Sequence, residues 1–202
     1  MGRRTTTRLL AAMVARRSPS VAIACGVTLA ACVALAGCGD EEPGVDEPAR
    51  EGLAIPVGDV DYNVFITRQL NFNIVPDRAY YKGPPAARGS TFYGVFIQAC
   101  NESEEAHTTV EDFKVVDNQG TEFEPTELPE DNIFAYRPRE LRPGECIPEV
   151  GSITEQSPTA GSLLLFELPL SVTENRPLDL ELTAPLDIAS GKREVKEIEL
   201  DL

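Results

Sequence analysis

Between residues 55 and 202, short apolar stretches alternate with clusters of Pro, Gly and Asn. Residues 178–183 alternate Leu with polar side chains, which is typical of a strand with one buried face. Residues 91–100 are apolar on both faces, as in the central strand of a sandwich, and residues 162–168 form a buried-strand run. The other strand candidates are residues 62–67, 110–116, 121–124, 133–136, 146–153 and 195–202.

Turn residues separate these candidates at intervals that suit an antiparallel sheet. The chain has 16 Pro and 15 Gly, and residues 117–120 read Asp-Asn-Gln-Gly, a turn between two strand candidates. No stretch after residue 55 has a convincing helical period, although residues 125–132 could hold one helical turn. The pattern predicts an all-β fold, an antiparallel β-sandwich, as one domain from residue 55 to 202.

The first 37 residues follow a different pattern. They contain five Arg and no acid, and in residues 21–36 only Thr28 is clearly polar. A basic segment, an apolar segment and a small-residue exit together predict a secretory signal peptide over residues 1–37. Sixteen helical residues span about 24 Å, less than the roughly 30 Å core of a bilayer. A permanent transmembrane helix is therefore the weaker interpretation.

The apolar segment ends in the motif Leu35-Ala36-Gly37-Cys38. This motif resembles the lipobox of bacterial lipoproteins. The resemblance implies that a diacylglycerol alkylates the Cys38 thiol and that the chain is then cut in front of it. Each buried methylene contributes about 0.8 kcal/mol, so a diacyl anchor is effectively permanent. The expected location is the extracytoplasmic face of a cell membrane; the alternative is an uncleaved anchor in which Cys38 is incidental.

Residues 38–54 differ from the domain in composition. They are rich in acids, Gly and Pro, so they cannot bury enough surface to offset the entropy of ordering, and they predict a flexible tether. The whole chain has a formal net charge of −15, and residues 38–202, with 13 bases and 33 acids, carry −20. This acidity excludes nucleic acid as the favoured partner and disfavours electrostatic docking to anionic lipids, because both need basic surfaces.

Two further cysteines remain after the signal peptide is removed. Cys100 ends one strand candidate, and Cys146 begins another just after Pro143-Gly144. A pair of cysteines in an exported domain predicts a disulfide. Closing the loop of about 46 residues would contribute roughly 4 kcal/mol in the chain-entropy model. The alternative is two free thiols that lie too far apart to join.

The order of these motifs is similar to that of a known family. A strand ending in Asn, an Asp-x-x-Gly hairpin, a Pro-Gly turn and an apolar strand ending near Phe and Pro follow one another: Asn101, residues 113–124, Pro143-Gly144 and residues 163–169. This layout resembles the Ig-like, telokin-like domain of many Gram-positive lipoproteins and of mycobacterial immunoprotective secreted antigens. The resemblance covers residues 60–184. It implies an immunoglobulin-like sandwich in the cell envelope, not a reaction.

Two loops depart from this family by their length, residues 80–89 and residues 150–161. The first begins with Tyr80-Tyr81 and contains Pro84-Pro85. Because tyrosine is favoured at interfaces, Tyr80 and Tyr81 are predicted to form an exposed contact surface. The alternative is a loop that packs on the domain.

No residue pattern predicts catalysis or a metal centre. His107 is the only histidine, lacks the neighbours of a catalytic triad and is expected on a surface loop. Acidic groups at residues 104–105, 112–117 and 127–131 could bind Ca²⁺, which takes about six to eight oxygens. None has a known loop spacing, so solvated acidic surface is the favoured interpretation. We therefore expect no enzyme activity, no cofactor and no metal.

The sequence favours a lipid-anchored, non-enzymatic binding or structural module of a bacterial envelope. Its expected partners are the membrane, through the anchor, and an unidentified envelope protein or ligand. The alternative is a ligand- or calcium-sensing lipoprotein that uses its acidic loops.

Overall fold

The computed structural model describes residues 49–188 and 190–202. The predicted signal peptide, the lipobox with Cys38 and residues 38–48 of the predicted tether lie outside the described residues. The strands are β1 (Ala49–Arg50), β2 (Ala54–Val57), β3 (Val60–Gln69), β4 (Ser90–Cys100), β5 (His107–Thr108), β6 (Asp112–Asp117), β7 (Glu122–Phe123), β8 (Glu140–Leu141), β9 (Cys146–Ile147), β10 (Ser162–Pro169), β11 (Leu178–Thr183) and β12 (Val195–Leu200). Short 3₁₀ helices cover Asp77–Ala79 and Leu170–Glu174. No helix in the described part of the chain has the length and apolar character to cross a bilayer.

Two sheets form a β-sandwich. Sheet A has the strand order β1-β12-β11-β6-β7, and sheet B has the order β10-β4-β3-β2, with β9 beside the end of β4. The neighbouring strands are antiparallel except for β1 and β12, which run parallel. A separate ribbon pairs β5 with β8. This arrangement confirms the predicted all-β sandwich.

Alternation decides which face of sheet A is buried. In β11, Leu178, Leu180 and Leu182 are buried, whereas the polar residues between them are partly exposed. Leu180 lies directly opposite Ile198 of β12 on one side and Val115 of β6 on the other. A slip of one residue would turn the polar set inward, so the hydrophobic pattern determines the register.

The strand β4 is buried on both faces. Tyr93, Val95 and Ile97 lie in the interior core, which we define as the apolar cluster between sheets A and B. Phe92 and Phe96 project from the opposite face of the same strand into a second apolar cluster. Sheet B therefore needs a cover on each side, and only one of them is a sheet.

Strand pairing begins earlier than the predicted domain start at residue 55. The strand β1 pairs with β12. The Glu51 carboxylate accepts hydrogen bonds from the backbone N–H groups of Thr67, at 2.6 Å, and Asp201, at 3.0 Å. Residues 49–54 of the predicted tether thus belong to the sandwich, since backbone and carboxylate hydrogen bonds require no hydrophobic pattern.

Residues 133–136 do not form the predicted strand. Ala135 makes an isolated parallel bridge to Leu163, and Leu163 N–H donates to the Phe134 carbonyl at 2.6 Å. This segment covers the outer edge of β10, which would otherwise present unpaired backbone groups to solvent.

Candidate functional site

The face of sheet B that points away from sheet A carries a second set of buried apolar side chains, which we call the outer cluster. Its members come from β4, β10 and the two loops that cover them, residues 70–89 and residues 125–135. They are Leu70, Tyr80, Tyr81, Phe92, Phe96, Leu128, Ala135, Leu163 and Leu165. The outer cluster is a small core of its own, closed by loops.

The two tyrosines predicted to form an exposed contact surface lie inside this cluster. Tyr80 is 2% exposed and Tyr81 is 9% exposed. The Tyr80 ring packs edge-on against Phe96 and Phe134, with ring centroids 5.1 and 4.9 Å away, and the Tyr81 ring lies 5.1 Å from that of Phe92. The prediction of an exposed tyrosine surface is wrong, because the outer face of β4 is apolar and these rings cover it.

An ion pair fastens the first covering loop to sheet B. The Arg68 guanidinium donates to both carboxylate oxygens of Asp77, at 3.1 and 2.5 Å, and the Asn71 N–H donates to the same carboxylate at 2.8 Å. The Arg68 guanidinium carbon also lies 5.9 Å from the ring centroid of Tyr80 and 5.8 Å from that of Phe96, within the range of cation–π attraction. This contact joins a strand, a loop and the outer cluster.

The carboxyl group of Asp77 is nearly inaccessible to solvent. Burial alone would raise the pKa of Asp77, but the hydrogen bonds from Arg68 and from the Asn71 N–H, together with the guanidinium charge, outweigh burial and hold this pKa below its ordinary value. The side-chain hydrogen bond to Asp77 likewise raises the pKa of Arg68. Both groups are therefore ionised at neutral pH.

A cleft of about 660 Å³ lies between the two covering loops. Apolar side chains of Tyr81, Ile133 and Phe134 line it, together with the charged side chains of Lys82 and Asp131. Its volume lies in the range of about 300–1,000 Å³ that is typical of ligand sites. Its lining, which combines apolar walls with a few polar groups, is also typical of such sites. Among the features described, this cleft is the best candidate for a binding site.

Hydrogen bonds hold the walls of the cleft in place. The Asn132 side chain donates to the Tyr80 carbonyl at 2.8 Å and accepts from the Phe134 N–H at 3.0 Å, so it joins the two loops. The Thr154 hydroxyl donates to the Ile133 carbonyl at 2.7 Å. A Cβ atom at Gly83 would overlap the Tyr81 ring, so the chain can pass this close only with glycine. The cleft is therefore largely preformed.

No pattern in the sequence predicts this cleft. Residues 133–136 resembled a strand, Lys82 belongs to no recognised motif, and Asp131 stood out only as part of the acidic group at residues 127–131. The available signal was the apolar character of both faces of residues 91–100, which required a cover on the outer side of the sheet.

The structure joins Cys100 and Cys146 in a disulfide, as the sequence predicted. The two residues lie opposite each other in the β4–β9 pair, and their sulfur atoms are 2.09 Å apart. Next to them, the buried Asn101 side chain donates to the carbonyls of Glu105, at 2.6 Å, and Leu141, at 2.9 Å. Disulfides are typical of proteins outside the reducing cytoplasm.

The other candidate groups do not converge on a metal or catalytic site. His107 lies in β5 rather than on a loop, and its Nδ1 is 3.9 Å from the Asp59 carboxylate. Within residues 49–188 and 190–202, no three His, Cys, Asp or Glu side chains are grouped so that they could hold a metal ion. The calcium-sensing alternative gains no support from these residues.

One of the acidic candidates is used within the fold. The Asp117 carboxylate accepts hydrogen bonds from the backbone N–H groups of Thr121 and Gln119, at 2.8 and 2.9 Å, and from the Asn175 side chain at 3.2 Å. The N–H of Thr121, followed by that of Gln119, holds the pKa of Asp117 below its ordinary value. The Asp117 carboxylate therefore stabilises the β6–β7 turn and is not a candidate ligand for a cation.

Neither a family model nor a curated protein matches this sequence. Three solved bacterial structures resemble the fold at low identity. The yjhA protein of Bacillus subtilis is 11% identical, with a TM-score of 0.48 over 76% of this chain and 99% of its own. The Bacillus subtilis protein ycdA, provisionally described as a lipoprotein, is 11% identical, with a TM-score of 0.45 over 74% of this chain and 38% of its own. An uncharacterized β-sandwich protein of Clostridium difficile 630 is 14% identical, with a TM-score of 0.38 over 79% of this chain and 100% of its own.

At these TM-scores, the three structures assign neither an activity nor a site to this chain. No matching model supports the predicted membership of the Ig-like, telokin-like family.

Proposed function

We propose that this protein is a lipid-anchored, non-enzymatic binding module on the outer face of a bacterial membrane. The observation that carries the proposal is the motif Leu35-Ala36-Gly37-Cys38 at the end of an apolar segment, ahead of an acidic stretch and a disulfide-bonded sandwich. Acyl chains on Cys38 would hold the domain at the membrane. An Ig-like, telokin-like domain is the family identity that fits this proposal.

The cleft between the covering loops is the binding site in this proposal. Its apolar walls, Tyr81, Ile133 and Phe134, suit a ligand with an apolar body, and the charges of Lys82 and Asp131 suit polar or charged groups at its periphery.

Replacing the lipobox cysteine tests the anchor. Cells that express the full chain are grown with an alkyne-labelled fatty acid, and acylation of the wild type is compared with that of Cys38→Ala. We expect the wild type to be labelled and Cys38→Ala to be unlabelled. Cys32→Ala, which removes a cysteine within the apolar segment, is the matched control and should be labelled like the wild type. Equal labelling of Cys38→Ala would exclude the lipoprotein assignment.

A charge placed on the wall of the cleft tests the binding site. Detergent-solubilised wild type and Ile133→Glu are used to capture components of an envelope extract. Ile133 is 61% exposed, so this change should leave the fold intact, and Leu53→Glu, at a position 59% exposed and outside the cleft, is the control. We expect a component that the wild type and the control retain and that Ile133→Glu loses. Equal retention by all three proteins would remove the cleft from the proposal.

A further inference from the structure

The hairpin that joins β11 to β12 extends beyond the rest of sheet A. The neighbouring strand β6 pairs with β11 only as far as Thr183. Pairing within the hairpin continues past that row, since the Asp187 N–H donates to the Lys192 carbonyl at 3.0 Å. Residues 186–188 and 190–192, which we call the hairpin tip, therefore project from one end of the sandwich.

Two apolar side chains at the hairpin tip are open to solvent. Ile188 is 94% exposed, the highest value of any large apolar side chain in the described residues, and Leu186 is 53% exposed. Single exposed apolar residues are common on protein surfaces. Two of them on a projecting turn form a small apolar patch, and both side chains can be transferred out of water together.

The N-terminal end of β1 points towards the end of the sandwich that carries the hairpin tip. Because β1 runs parallel to β12, with Ala49 opposite Ile198, the beginning of β1 points towards the beginning of β12 and hence towards the hairpin tip. From Ile198 back to Lys192, six residues span about 20 Å of strand. The ten residues between Cys38 and Ala49 reach about 36 Å when extended. A membrane that holds Cys38 is thus within reach of the tip.

The hairpin also differs in charge from the rest of the mature chain. Residues 184–196 contain three bases and two acids: Lys192, Arg193, Lys196, Asp187 and Glu194. Two of the bases make only long, half-exposed ion pairs: Arg193 with Asp112 at 4.0 Å and Lys196 with Glu194 at 3.7 Å. Such pairs contribute little to stability. With Asp112 included, the bases and acids of the hairpin balance, in a mature chain whose net charge is −20. The hairpin therefore repels anionic headgroups less than the rest of the domain does.

We propose that Leu186 and Ile188 insert into the interfacial layer of the membrane and make the hairpin tip a second contact that orients the anchored domain. This inference rests on the proposed lipid anchor, because the tether raises the effective concentration of the tip at the bilayer. The apolar side chains drive the contact, and Lys192 adds attraction to anionic lipid. The β6–β7 turn, at the opposite end of the sandwich, then faces outward.

A tryptophan placed at the tip reports this contact, since the chain contains no Trp. Full-length, acylated Ile188→Trp is reconstituted into vesicles of equal parts phosphatidylcholine and phosphatidylglycerol, with and without brominated acyl chains. Interfacial insertion to a depth of about 5–10 Å should produce a blue-shifted emission and about twofold quenching by the brominated lipid.

The matched control is Leu170→Trp. Leu170 is 54% exposed and directly follows β10 of sheet B at the end of the sandwich opposite to the hairpin tip, so the emission of this tryptophan should be neither shifted nor quenched. In the Ile188→Trp protein, the added change Leu186→Asp should reduce quenching to the control level. An unchanged melting temperature for each variant shows that the fold is intact. Equal quenching at positions 188 and 170, or none at 188, would overturn the proposed tip contact.

Two further readouts separate failure of the tip from failure of the anchor. Flotation with the vesicles and the acylated mass of the N-terminal peptide both report the anchor without reference to the tip. A protein that is acylated and floats but remains unquenched at position 188 keeps the anchor and rejects the tip contact. A protein that carries no acyl chain rejects the proposed function, and with it this inference.

Discussion

The interior core and the outer cluster share the strand β4, but different structures close them. A second sheet closes the interior core, and its alternating leucines are held in register by backbone ladders on both sides. Loops close the outer cluster and depend on a few specific contacts, chiefly the Arg68–Asp77 pair and the Asn132 side chain. A sheet covers a face with a regular, cooperative surface. Loops cover it irregularly and can leave a cleft.

The largest expected effect is the loss of stability when one buried phenylalanine in each region is replaced by alanine. Phe166 is fully buried in the interior core, and Phe92, on the paired strand, is 4% exposed in the outer cluster. Phe166→Ala should lower the free energy of unfolding by about 3–5 kcal/mol, and Phe92→Ala by about 2–3 kcal/mol, because loops can collapse into a cavity more easily than a sheet can. Urea denaturation measures both values. A larger loss for Phe92→Ala would contradict the comparison.

The ion pair tests whether the outer cover can loosen by itself. Asp77→Asn removes the charge opposite Arg68, and the half-exposed guanidinium can turn to water, so the expected loss is about 1–2 kcal/mol. Hydrogen exchange should accelerate in residues 70–89 and remain unchanged in β11. Asp201→Asn, an exposed acid outside both regions, is the control. Uniform acceleration through both regions would mean that the two clusters unfold as one unit.

The same pair predicts how stability depends on pH. The pKa of Asp77 lies below its ordinary value in the folded protein, so its contribution is complete above the unfolded pKa of about 3.9 and is lost as the pH falls through the folded pKa. Wild type should therefore lose its advantage over Asp77→Asn on acidification below about pH 4. Urea midpoints of the two proteins across this range measure the difference; parallel curves would show that Asp77 contributes nothing to it.

The smallest expected effect concerns the outer face of sheet A. Burial, and then the charges of Glu197 and Glu199, raise the pKa of Asp179, and one of its oxygens has no hydrogen-bond partner. Asp179→Asn should therefore stabilise the protein by about 0.5 kcal/mol at neutral pH. Glu181→Gln is the control. Because Glu181 lies between Glu197 and Lys114, its repulsion by the first is offset by its attraction to the second, so the melting temperature should stay unchanged. A lower melting temperature for Asp179→Asn would contradict this account.

Much of the fold is local information that the sequence carries. The alternation over residues 178–183 and the two apolar faces of residues 91–100 identify β11 and β4, because the side-chain period of a strand is set by its own residues. The turn over residues 117–120 is likewise local, since the Asp117 side chain bonds the backbone two and four residues on. Short strands such as β1, β5 and β8 escaped prediction, because two residues carry no period.

The sequence by itself determined the longer strands, the turn at residues 117–120, the acidity of the chain and the motif at Cys38, all of which depend on neighbouring residues. Only the tertiary structure decided that Tyr80 and Tyr81 are buried, that Arg68 meets Asp77, and that the covering loops leave a cleft. These outcomes depend on which distant segments cover the outer face of β4. Contacts between segments that are far apart in the chain are set by packing and by the pairing of buried polar groups, and no local pattern encodes them.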